Sequence, residues 1–238
     1  MKVNEIFGPT IQGEGKSAGM KTMFLRTSLC NLACIWCDTP YAWNWLGTPF
    51  KHPQKYDRQK EIHDMSCKDI VKILKERESE VKSLVISGGE PLLQLDEIIE
   101  LLKLLKADGY RVEIETNGTI EPTDEFLELI DQINCSPKTD NSGSDNRLEM
   151  RERPEALKKL AACNKTFFKF VVRDRSDLPE ITDLVSRYNM RTVYLMAESR
   201  TGQDQIRLNK EVAQMCLENF FCFSPRLHIL YWNGARGF

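Results

Sequence analysis

CNLACIWCDT, residues 30–39, sets Cys30, Cys34 and Cys37 within eight positions and stops one thiol short of the usual four. A structural zinc site closes its tetrahedron with a fourth Cys or His, so three close-set thiols describe a metal site with one position left open. The segment follows TMFLRTSL, Thr22–Leu29, which reads as a strand. What comes after the next strands therefore decides the fold.

Strand and helix patterns alternate from there on. A helix is expected over Cys67–Arg77 and a strand over Ser83–Ser87. LDEIIELLKLLKADG is a helix that stops at Asp108-Gly109 and gives way to the strand RVEIET. Further strands are expected at Gln132–Ser136, Phe167–Val172, Thr192–Ala197 and Leu227–Tyr231. Further helices are expected at Glu125–Ile130, Pro154–Cys163, Leu178–Tyr188 and Leu208–Asn219. Short apolar strands separated by helices predict an α/β fold with a parallel sheet, curled or open. The polar NSGSD, Asn141–Asp145, reads as a mobile loop. SGGEP, ETNG and SPK each close a strand, as CNLACIWCDT does, so four motifs lie at carboxyl ends. In parallel α/β folds those ends converge on one mouth.

At 238 residues a single domain, 1–238, is expected, with an inserted aromatic, Pro-containing segment at about residues 41–66. The 33 basic and 35 acidic side chains nearly cancel, which argues against a nucleic-acid or membrane-surface binder and for a small-molecule partner. MKVNEIFGPTIQGEG resembles neither a secretory signal nor a transit peptide, and no stretch reads as a membrane span, so a cytoplasmic protein is expected. In a reducing compartment the cysteine trio is suited to metal; Cys67, Cys135, Cys163, Cys216 and Cys222 read as small buried hydrophobes.

The spacing Cys-x3-Cys-x2-Cys, with Trp36 before the third cysteine and GGEP at the next strand end, resembles the radical S-adenosylmethionine (SAM) superfamily. EIFGPTIQGEG (5–15), FLRTSLCNLACIWCDT (24–39), SGGEPLLQ, IETNGT and SPK, in this order, resemble the 7-carboxy-7-deazaguanine synthase family as far as Lys138. The resemblance implies an abbreviated, partial TIM-like barrel, usually a homodimer. It also implies a carbon–nitrogen lyase that converts 6-carboxy-5,6,7,8-tetrahydropterin to 7-carboxy-7-deazaguanine with loss of ammonia, toward queuosine and related deazapurines. Cys30, Cys34 and Cys37 would hold three irons of a [4Fe-4S] cluster, and SAM would take the fourth. The reduced cluster would cleave SAM to a 5′-deoxyadenosyl radical that abstracts hydrogen from the pterin. Electrons would come from a flavodoxin or ferredoxin.

Carried over residue by residue, the resemblance assigns Trp36, Cys37, Asp38, Gly88, Gly89, Glu90, Ser136, Pro137 and Lys138 to SAM. Ile11, Gln12, Gly13, Glu14, Arg26 and Ser87 go to substrate, with a carboxylate at Phe238 as a further candidate. Thr39 would give its hydroxyl to a Mg²⁺ that also holds the substrate carboxylate. Bland readings stand beside these: a Gly-rich turn for QGEG, an ion pair for Arg26, a turn cap for Thr39, and loop shaping for Glu115 and Asn117. Two other function classes remain: a radical SAM enzyme that activates or modifies a protein, peptide or RNA, and a zinc module using His52 or His63 as fourth ligand.

Overall fold

A computed structural model describes residues 1–46 and 55–238. Strands β1 (Lys2–Ile11) and β2 (Lys21–Thr27) are followed by α1 (Arg58–Glu61) and the short β3 (His63–Asp64). Next come α2 (Cys67–Arg77), β4 (Ser83–Gly88), α3 (Leu95–Ala107), β5 (Arg111–Thr116), α4 (Asp124–Leu129) and β6 (Gln132–Cys135). The chain continues through α5 (Leu148–Arg151), α6 (Pro154–Ala162), β7 (Thr166–Val172), α7 (Leu178–Tyr188) and β8 (Val193–Ala197). It ends with α8 (Gly202–Asn219), β9 (Cys222–Phe223) and α9 (Leu227–Trp232). Among the described residues the sheet runs β3-β1-β2-β4-β5-β6-β7-β8-β9. It is antiparallel across β3, β1 and β2 and parallel from β2 onward. Its ends do not pair with each other, so it is an open, partial barrel.

The period-two pattern of the strands separates two faces. Met23 and Leu25, Ile86, Val112 and Ile114, Ile133, Phe168 and Phe170 point into one core shared with Ile70, Leu74, Leu101, Leu105, Leu157 and Leu184 of the helices. The intervening residues face the concave side, and many are polar yet buried: Glu113, Gln132, Asn134 and Lys169. Fully covered parallel strands normally read as continuous apolar runs, so these polar positions mark an interior polar site. They satisfy one another. Asn134 Nδ2 donates to Glu113 Oε2 and Glu115 Oε1, both at 3.1 Å, and Gln132 Nε2 donates to Glu113 Oε2 at 3.1 Å.

Two expectations, the Leu227–Tyr231 strand and the mobile NSGSD loop, are corrected. Leu227–Tyr231 is helical: a short apolar run does not by itself separate strand from helix, and the place beside β8 is taken by β9. The amino-terminal segment, for which the sequence pattern implied no element, is a ten-residue strand whose register shifts between Phe7 and Thr10, around Gly8-Pro9. NSGSD is built into the structure, since Ser142 is fully buried and its carbonyl accepts the Ile35 N–H at 2.9 Å. Helix α8 also starts earlier than expected, where Thr201 Oγ1 accepts the Asp204 N–H at 3.1 Å. Of the scattered cysteines, Cys67, Cys135 and Cys216 are buried, Cys163 is half-buried and Cys222 is exposed. Within the expected 41–66 insertion, His52 lies outside the described residues. His63 is exposed on β3 and does not line the cavity described next, so it is not a fourth ligand.

Candidate active site

The loops after β2, β4, β5 and β6 meet the 11–14 turn and the carboxyl-terminal segment around one cavity of about 220 Å³. Cys30, Cys34 and Cys37 line it together with Trp36, Asp38 and Thr39. So do Gly88, Gly89, Ser136 and Lys138 among the residues assigned to SAM, and Ile11, Gln12, Gly13, Glu14, Arg26, Ser87 and Phe238 among those assigned to substrate. Pro137 and Glu90 do not line it. Glu90 lies fully buried behind the loops, where its carboxylate accepts the N–H groups of Leu92 (3.0 Å) and Asn117 (2.6 Å) and the Thr116 hydroxyl (2.8 Å).

The cluster loop starts from a turn made at Leu29, a leucine with φ 81°, a conformation that costs non-glycine residues about 1–3 kcal/mol. The turn is held by Leu29 N–H donating to Ala42 O and Glu90 N–H donating to Leu29 O, both at 2.8 Å. Gly89 follows from this packing: a Cβ there would sit 1.9 Å from Leu29 O. On the opposite wall a Cβ at Gly13 would meet His228 Nδ1 at 2.5 Å, so the QGEG turn needs glycine to accept α9.

Charge runs along the concave face as a chain. Lys169 Nζ, almost fully buried, bridges Glu115 Oε2 (2.6 Å) and Glu14 Oε2 (2.9 Å). Arg226 continues the chain from Glu14 Oε1 (2.9 Å) to Asp38 Oδ2 (2.6 Å), with His228 Nε2 within 3.8 Å of both carboxylates. Burial by itself would raise the pKa of Glu14, but Lys169, Arg226 and His228 hold it down at about 2. Asp38 is lowered too, against its burial, by His228 and Arg226. Glu115 is raised, because burial outweighs the help of Lys169. A second group surrounds Arg26, whose Nε donates to Glu5 Oε1 at 2.8 Å. The ion pair is therefore present, yet among the described residues it engages only Nε, leaving the rest of the guanidinium at the cavity. Thr39 caps the turn Pro40–Ala42 without a side-chain hydrogen bond, so its hydroxyl is not spent on capping. Asn117 shapes its loop, with its Oδ1 accepting from Thr119 N–H at 3.0 Å and its Nδ2 donating to Asn31 at 3.0 Å.

Residues 24–163 match the Radical SAM superfamily. The chain is 34% identical to the 7-carboxy-7-deazaguanine synthase of Halobacterium salinarum, over 99% of this chain and 91% of that protein. The chain belongs to the 7-carboxy-7-deazaguanine synthase family. The synthase of Pyrobaculum aerophilum is 32% identical over 100% of this chain and 97% of its own. The crystal structure of QueE from Escherichia coli shares the fold, with a TM-score of 0.72 over 95% of this chain and 94% of that one at 24% identity.

Radical SAM membership implies a [4Fe-4S] cluster and SAM, and the residues present fit them. The three thiols face one cavity and none is joined in a disulfide. Burial raises the pKa of Cys30 and Cys37 and pushes Cys34 up to about 12, with Lys138 and Asn146 pulling Cys34 back down. Such thiols ionise when a cation binds them. Several functional candidates carry little local signal: Lys169, Arg226, His228 and Arg236 line the cavity from the less distinctive last third of the chain. For Lys169 a signal existed, a lone lysine at an inward position of the apolar strand FFKFVV.

Proposed function

We propose that this chain converts 6-carboxy-5,6,7,8-tetrahydropterin to 7-carboxy-7-deazaguanine with loss of ammonia, toward queuosine and related deazapurines. The observation that carries the reading is that one cavity joins the three thiols to a wall of fixed polar groups: Gln12, Glu14, Arg26, Glu115 and Lys169. Cys30, Cys34 and Cys37 hold the cluster; Trp36, Asp38, Gly88, Gly89, Ser136 and Lys138 place SAM beside it. Cluster and SAM together supply the one-electron cleavage that starts hydrogen abstraction. Gln12, Glu14 and the backbone of Ile11 and Gly13 hold the donor- and acceptor-rich edge of the pterin, and Arg26 with a Thr39-bound Mg²⁺ holds its carboxylate. Ser87 and Phe238 complete the substrate wall.

Ionised Glu14 is an acceptor for the pterin N–H groups, and the buried ion chain keeps it in place without reorganisation. Residues 234–236 and Phe238 of the carboxyl-terminal segment line the cavity beside the thiols, which supports a small substrate held between that segment and the cluster loop. The protein works in the cytoplasm as a homodimer, with electrons from a flavodoxin or ferredoxin. Among the described residues no helix is long and apolar enough to cross a membrane. The test is anaerobic incubation of the reconstituted, reduced protein with SAM, Mg²⁺ and the carboxypterin, followed by mass spectrometry. The deazaguanine product is expected from wild type and not from Cys34→Ala, which should also lack the iron–sulfur chromophore. SAM cleavage without pterin conversion would overturn the substrate assignment.

A further inference from the structure

The three cysteine sulfurs each accept an N–H hydrogen bond. Leu32 N–H donates to Cys30 Sγ at 3.5 Å, within the loop itself. Asn146 Nδ2 donates to Cys34 Sγ at 3.3 Å and Trp43 Nε1 to Cys37 Sγ at 3.3 Å. Asn146 comes from a loop 112 residues away in sequence and is 2% exposed. Its amide is locked in place, since Oδ1 accepts the Ala33 N–H at 2.8 Å and Nδ2 also donates to Ser142 Oγ at 3.1 Å. Both ends of this amide therefore clamp the cluster loop. Trp43 is fixed from the other side by its 3-10 turn, where its N–H donates to Pro40 O at 3.1 Å.

We propose that Asn146 and Trp43 are positioning residues that set the reduction potential of the cluster through their hydrogen bonds to Cys34 and Cys37. The inference rests on the reading of the three cysteines as cluster ligands. Reduction adds one electron from a one-electron donor, and no bond to the protein is made or broken. The added negative charge spreads onto the sulfurs, so an N–H dipole aimed at a ligand sulfur stabilises the reduced cluster more than the oxidised one and raises the potential. Burial strengthens the effect, because a low-dielectric surrounding screens each dipole less, and at Cys37 the Thr39 hydroxyl at 3.7 Å is a second group beside the Trp43 N–H. Asp38, beside Cys37, acts in the opposite sense, and the Trp43 N–H opposes it at that sulfur.

The experiment uses the full chain, reconstituted anaerobically, as wild type, Trp43→Phe, Asn146→Asp and Trp45→Phe. Trp45 is the control, since among the described residues its buried Nε1 has no hydrogen-bond partner. Trp43→Phe removes the donor and keeps the ring; Asn146→Asp keeps the acceptor for Ala33 and puts oxygen against the sulfur. Iron and sulfide are assayed first, and then the reduced fraction is followed by electron paramagnetic resonance in a mediated titration. Each of the two variants is expected to hold a full cluster, with a reduced-to-oxidised ratio at fixed potential lower by about tenfold, or about 59 mV for a one-electron couple. Trp45→Phe should match wild type. In wild type, exchange into D₂O should shift the Fe–S(Cys) stretching bands in resonance Raman spectra. Loaded variants with the wild-type potential overturn the proposal, and so does the absence of a deuterium shift should both variants lose their iron. A wild type that assembles no cluster would instead refute the ligand reading.

Discussion

At Thr39 a hydroxyl lines the cavity one residue beyond Asp38 and makes no capping bond to its own turn, lying 3.7 Å from Cys37 Sγ. That contact is a hydrogen bond to sulfur, and the hydroxyl oxygen keeps a lone pair for a small hard cation, which takes few protein ligands and keeps several waters. Thr39→Ala is expected to assemble the cluster and bind SAM normally, yet convert carboxypterin about a hundredfold more slowly, because small misplacements of the reacting carbon carry that size of penalty. Thr39→Ser keeps the oxygen and should recover most of the rate. Product formation against Mg²⁺ concentration in the three proteins is the measurement, with uncoupled SAM cleavage followed alongside. The same Mg²⁺ dependence in all three would remove Thr39 from the metal.

Between elements, the segment after α9 is fastened across the cavity by one side chain. Arg236 donates to Glu61 from Nη1 (3.1 Å) and Nη2 (2.9 Å), to Glu5 Oε2 from Nε (3.0 Å) and to Asn4 Oδ1 (3.0 Å), and it stacks over Tyr41 at 4.3 Å. Glu5 in turn holds Arg26, so β1, α1, β2 and the carboxyl-terminal segment share one ionic knot. Arg236 is 42% exposed, so its removal is expected to cost only about 1–2 kcal/mol of stability. The sharper effect should fall on substrate. With residues 234–238 loosened, KM for the carboxypterin should rise about tenfold, equivalent to about 1.4 kcal/mol, while SAM cleavage without substrate is unchanged. Equal KM values for Arg236→Ala and wild type would show that the knot serves folding alone.

Across the whole molecule, the chain Glu115–Lys169–Glu14–Arg226–Asp38 ties the amino-terminal strand to the middle of the barrel and to its last helix. Its pH dependence follows from Glu14, whose pKa falls from 4.5 to about 2 because the flanking cations outweigh its burial. A carboxyl depressed on folding contributes stability that is fully present above pH 4.5 and is lost as pH falls through about 2. Melting temperature is therefore expected to drop steeply across that acid window in wild type. Glu14→Gln should start lower at neutral pH, with two buried cations short of a partner, and lose less on acidification. Parallel melting curves for the two proteins over the window would show that the network does not hold the fold together.

Local pattern made much of this protein legible. The helices Cys67–Arg77 and Leu178–Tyr188 and the strand Arg111–Thr116 have the bounds their periodicity implies, and the motifs at the ends of β2, β4, β5 and β6 line one cavity because parallel strands bring their carboxyl ends together. Tertiary structure decided what local pattern leaves ambiguous. Gly8-Pro9 carries turn signals that pairing with β2 overrides, and Leu227–Tyr231 could be either element until β9 took the place beside β8. The partners of charged groups were beyond any local reading. Glu14 meets Lys169 and Arg226 across separations of 155 and 212 residues, and Cys34 receives a hydrogen bond from Asn146, just beyond a stretch that reads as a loop. Periodicity is set by neighbours in the chain, whereas a buried charge takes whichever opposite charge the fold places within about 3 Å.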